Sequence, residues 1–257
     1  MDTLDWVAIL GALAWLPHLF RYGYELLSKP NVKILTNPAP ELGFTTYGPI
    51  LNLRMAFIVE RKDIVISGIK IYVKHESGSE QEFVWQGMVQ TLGRLNNQQL
   101  GNMPFEKESN VLALKAKTSE VDERFVRFQD SAFIEGKREI EDRISNRLMY
   151  LRRQKGELNT GAFLKSDEMT DLCTYVKRSF SWKEGSYLIR FEIESPQAFD
   201  ISNNVYSFNL NLVDIEQLEK NSELIDLDYR YQAIPRKEGE PEVVWAWRYP
   251  RLQGAET

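Results

Sequence analysis

The sequence holds one cysteine, Cys173, and two histidines, His18 and His75, in 257 residues. A single thiol excludes an internal disulfide framework, two histidines exclude a multi-histidine metal site, and a Ser-His-acid triad has only His75 to draw on. No Asn-X-Ser/Thr sequon occurs, which with the lone cysteine agrees with a reducing compartment. No G-x-G-x-x-G occurs, and Gly136-Lys137 is followed by Arg138 where a phosphate loop needs Ser or Thr. The usual signatures of nucleotide binding are therefore missing. Positive charge is in deficit: 32 Lys and Arg against 37 Asp and Glu give a net charge of −5. Such a chain has no overall attraction for a phosphate backbone, which sets nucleic acid aside as a partner. Long Pro/Ser-rich or single-residue tracts are also absent, and a hydrophobic content of 43% is that of a folded protein.

What is present begins with an apolar N-terminus. Trp6 to Phe20 (WVAILGALAWLPHLF) carries no formal charge, and only Gly11, Pro17 and His18 interrupt its apolar run. It is apolar on all sides, unlike an amphipathic surface helix. As a helix the run covers about 22 Å, against roughly 30 Å of hydrocarbon core, so a span draws on its flanks. Tyr22, Tyr24, Leu26 and Leu27 extend it and Arg21 can snorkel. Residues 1–28 are thus read as a membrane-anchoring helix whose contacts are Trp6, Ile9, Leu10, Leu13, Trp15, Leu16, Leu19 and Phe20. A shallow interfacial or partner-buried helix is the alternative. A signal peptide has the Ala12-Leu13-Ala14 motif in its favour, but Asp2 and Asp5 stand where lysines belong. Acidic residues before the segment and Arg21, Lys29 and Lys33 after it place the following domain on the cytoplasmic side of a single-pass protein.

Pro30 ends the helix, and period-two alternation follows. Val32–Leu35 reads as a strand and Asn37-Pro38-Ala39-Pro40 as a loop. In Ile50–Glu60 the residues Leu51, Leu53, Met55, Phe57 and Val59 alternate with Asn52, Arg54, Ala56, Ile58 and Glu60. Ile64–Lys74 reads as one strand bulged at Ser67-Gly68, and Glu82–Gln86 as its hairpin partner. The C-terminal half repeats the signature at Tyr187–Glu194 and Tyr206–Leu212, with further candidate strands at Tyr229–Ile234 and Glu242–Tyr249. Between the halves the spacing is helical: Ile140, Ile144, Leu148 and Leu151 form one stripe, and Met169, Leu172, Cys173, Val176 and Phe180 a second. The expected fold is mainly β, an immunoglobulin-like two-sheet antiparallel sandwich over 31–255. A helical insertion at about 119–180 and the N-terminal hydrophobic helix complete it.

Chemistry is sparse. His75 lies beside Glu76, Glu80 and Glu82, an arrangement that reads first as a solvated turn and second as a carboxylate-rich cation site. Cys173, on an apolar stripe, reads as a packing residue rather than a nucleophile. No catalytic residue, cofactor or metal is assigned. Two patches stand out. Val243, Trp245, Trp247 and Tyr249 share one strand face that could fill a core or stack on sugars, and Arg147, Arg152, Arg153 and Lys155 form a basic helix end that could meet anionic lipid.

The order of apolar helix, SKP boundary, ELGFTTYGPILNLRMAF and KHESGSEQEFVWQG resembles an uncharacterised group of bacterial membrane-anchored β proteins over about the first 130 residues. The resemblance implies a bacterial inner-membrane protein with an anchored β domain and brings no activity or functional residue with it. The function expected is a non-enzymatic, membrane-anchored interaction module with a protein partner on the cytoplasmic face. The competing readings are a carbohydrate-binding or carbohydrate-processing domain facing the envelope and a lipid-sensing peripheral domain.

Overall fold

The computed structural model describes residues 15–20, 23–24, 28–97, 101–109, 112–155 and 160–255; the side chains of 90–97, 101–109 and 152–155 lie outside that description. Residues 15–20 are helical (α1). Of the expected anchor contacts, Trp6, Ile9, Leu10 and Leu13 lie outside the described residues, whereas Trp15, Leu16, Leu19 and Phe20 are all exposed. Among the described residues no helix is long and apolar enough to cross a membrane.

The β region follows its alternation closely. β1 (Asn31–Thr36) and β2 (Glu41–Thr45) pair in succession with the same edge of the 13-residue β3 (Gly48–Glu60), β1 against Met55–Glu60 and β2 against Gly48–Asn52. They form one long strand broken by Asn37-Pro38-Ala39-Pro40, whose two prolines have no N–H to give to a ladder. The inward side chains of β3, Leu51 to Val59, are all buried. Ser67 divides the segment expected as one bulged strand. β4 (Ile64–Ile66) pairs with β8 (Leu114–Ala116) in a separate two-stranded sheet, and β5 (Gly68–His75) joins the main one. β6 (Glu80–Asn97) also serves several partners: β5, β9 (Asp122–Asp130) and β7 (Gly101–Ser109). Beyond Val89 its strand partner among the described residues is β7 alone, so the two leave the sheet as a ribbon.

The main sheet has eleven strands, ordered β11-β1-β3-β9-β6-β5-β10-β12-β13 with β2 and β7 beside β3 and β6; β10 is Gly185–Glu194, β11 Asp200–Ser202, β12 Val205–Leu210 and β13 Gln253–Gly254. It is mixed, because β1 and β11 run parallel. It also curls. β11 and β12 stand near opposite ends of the order yet are joined only by Asn203-Asn204, with Asn203 in the left-handed region that Asn tolerates. The Tyr206 hydroxyl of β12 donates to the Ile34 carbonyl of β1 across that seam (2.9 Å). Val32 and Ile34 from one end share a core with Ile189, Phe191, Phe208 and Leu210 from the other. One curled, mixed sheet thus stands where two facing antiparallel sheets were expected.

Three local expectations are corrected. The helical insertion starts at Ser131, not near 119, because 122–130 is β9, a central strand whose Val126, Phe128 and Asp130 point inward. Residues 229–233 belong to helix α6 (Ile225–Ala233), in which Ile225 and Tyr229 are buried at i, i+4, and Ile234 is its extended C-cap. Residues 242–249 form no strand; their one ladder contact is an isolated bridge between Arg248 and Leu42.

The helices make a second core. α2 (Ser131–Lys155), α3 (Thr160–Phe163), α4 (Asp167–Arg178) and α6 enclose Phe44, Phe133, Ile140, Met169, Leu172, Val176, Ile225 and Tyr229. α4 is fixed by its sequence: Ser166 accepts the Met169 N–H, Asp167 and Glu168 occupy the first turn, and Lys177 and Arg178 the last. α5 (Leu212–Glu219) begins with a capping box between Asn211 and Asp214. Gly48, with a φ of +74°, lies under the Phe133 ring, where a Cβ would come within 2.5 Å of it.

Candidate functional site

His75 is buried at the end of β5 and its ring is fully engaged. Nδ1 accepts the Ser77 N–H (3.2 Å), so Nε2 carries the proton that goes to the Glu184 carbonyl (3.0 Å), and the ring lies 4.8 Å from that of Tyr187. The neighbouring Glu76 carboxylate accepts the Ser186 N–H. This side-chain group braces a turn, and no group of three or more metal-ligating side chains is found among the described residues.

The aromatic face divides. Trp247 lies over Gly43, where an added Cβ would sit 2.4 Å from the ring, and Trp245 packs on the helical core. Tyr249 is exposed and Val243 half-buried. Both indoles are half-buried, so the face is divided between packing and solvent. The basic helix end lies in the last third of α2. Arg147 reaches toward Glu168 (3.8 Å) and lies over the Tyr150 ring. The side chains of Arg152, Arg153 and Lys155 lie outside the description.

A cleft of about 540 Å³ opens between α3, α4 and α6. Leu164, Met169 and Cys173 give it an apolar wall, Tyr229 and Ile234 the opposite one, and Thr170, Thr174, Lys165, Lys177, Asp226 and Arg230 its polar lining. Lys177 is ion-paired with Asp226 and Arg230 with Glu240. Lys165 has no ion-pair partner among the described residues. Burial, followed by the Asp226 carboxylate, pushes the Cys173 thiol up to about 12, which keeps it protonated and poorly nucleophilic at neutral pH. Burial likewise raises the Tyr229 hydroxyl, which donates to the Thr46 carbonyl (3.3 Å). Thr46 in turn donates to Asp228 (2.8 Å), so the β2–β3 turn holds α6 in place beneath the cleft.

The chain matches no family model, curated protein or solved structure with which it was compared. Its site is therefore read from its own geometry. The sequence does place Met169 with Cys173, and Thr170 with Thr174 and Lys177, on neighbouring faces of one helix. It does not bring α6 opposite them, because 229–234 reads as a strand.

Proposed function

We infer that the chain is a non-enzymatic interaction module tethered to a membrane by its N-terminal segment. The observation that carries this reading is the exposure of α1: Trp15, Leu19 and Phe20 are 68%, 62% and 73% exposed, and Tyr24 lies open beyond them. Large apolar side chains on consecutive turns, unshared with either core, are a surface that water disfavours and that lipid or a partner protein covers. The flanking charges, Asp2 and Asp5 before and Lys29 and Lys33 after, put the β domain on the cytoplasmic face of a bacterial inner membrane, in keeping with the resemblance of the first 130 residues. The engagement of His75 and the protonated state of Cys173 support binding rather than covalent chemistry.

Fractionation tests the tether. The full-length protein should resist carbonate extraction, and a chain lacking Met1 to Leu27 should be released while remaining folded. Extraction of both by carbonate overturns the reading. Protease added to intact spheroplasts should leave the domain uncut; cleavage there reverses the orientation.

A further inference from the structure

The cleft between α3, α4 and α6 opens to solvent and has a mixed apolar and charged lining. About 540 Å³ lies within the range of sites that enclose small molecules. The lining is graded. Met169 is buried and Leu164 and Cys173 half-buried, whereas Lys165 and Arg230 are exposed, so apolar atoms lie deep and cationic groups toward water. The charge is graded too. Asp226 neutralises Lys177 and Glu240 neutralises Arg230, which leaves Lys165 as the lining cation without an ion-pair partner among the described residues. One uncompensated positive charge above an apolar pocket matches a monovalent anion on an apolar body; a polyanion would find its other countercharges already paired.

We propose that this cleft binds a single-chain anionic amphiphile, a medium-chain carboxylate, with its tail against Leu164, Met169 and Cys173 and its head group at Lys165. The inference is independent of the tether, because none of these residues belongs to the N-terminal segment. Photo-crosslinking of the full-length protein with a diazirine-bearing decanoate, followed by mass-spectrometric peptide mapping, tests it. Label is expected in α4 and α6, displaced by decanoate and far less by decanol. Lys165→Glu, at an exposed position, should lower labelling about tenfold, the scale of one reversed charge contact. Thr170→Trp, which fills the cleft from its lining, should abolish labelling, and circular dichroism checks that each variant is folded. Label confined to residues 15–27, equal displacement by decanol, or labelling unchanged in both variants overturns the proposal.

Discussion

Trp182 shows how much a single side chain joins. Its indole N–H donates to the Gly43 carbonyl (3.1 Å), and its ring stacks on Phe83 and meets Tyr187 edge-on. One residue thereby connects β2, β6 and β10. Trp182→Ala should cost about 3–5 kcal/mol in urea unfolding. Trp182→Phe should cost less, about 1–2 kcal/mol, since it keeps the ring packing and leaves the carbonyl unpaired. Cys173 supplies a pH test. Its thiol ionises near 9.0 when unperturbed and near 12 in the fold, so folding favours the protonated form. That contribution is complete below pH 9 and is lost as pH rises toward 12. Wild type should lose urea resistance relative to Cys173→Ala across that window, and alkylation of the native thiol at pH 8 should be slow until the protein is unfolded. The packing role of Cys173 is legible in the helical spacing, but its pairing with Asp226 is not, because the two are brought together only by α4 and α6 packing side by side.

At the scale of elements, the junction of β9 with α2 rests on Asp130. Its carboxylate accepts the Phe133 N–H (2.8 Å) as the helix begins and the Gln81 amide from β6 (3.2 Å). Burial holds its pKa above the usual carboxylate value, partly offset by the backbone N–H groups of Phe133 and Ala132. Asp130→Asn keeps an acceptor in place and should be nearly neutral, whereas Asp130→Ala should cost about 1–2 kcal/mol by thermal or urea unfolding. The same junction marks where sequence reading is hard. β3 and β10 announce themselves through four or five alternating large apolar residues. β9 has Val126 and Phe128 in phase and fills its other inward positions with Asp122, Arg124 and Asp130, so the charge pattern of a helix hides a central strand. In α6, Tyr229 and Tyr231 imitate alternation, while the buried pair Ile225 and Tyr229 and the acidic first turn are the helical signals.

For the whole molecule, the division between a curled sheet and a ribbon has a measurable outcome. Amides of 83–89 lie in a strand flanked by β9, whereas 90–97 pair, among the described residues, with β7 alone. Hydrogen exchange should therefore be faster in the ribbon than in the adjoining part of β6 and slowest in β3 and β10. Strand content was largely legible, since alternation is local. The closure of the sheet was not, because it depends on β1 meeting β11 and on a hydrogen bond between residues 172 positions apart. That separation sets an order of events during synthesis. β1 leaves the ribosome well before β11 and β12, which close the sheet against it, so one edge of β1 stays open while the residues between them are made. An early grip on the N-terminus, by lipid or by a chaperone, would hold that edge away from other nascent chains until residues 200–210 arrive to cover it.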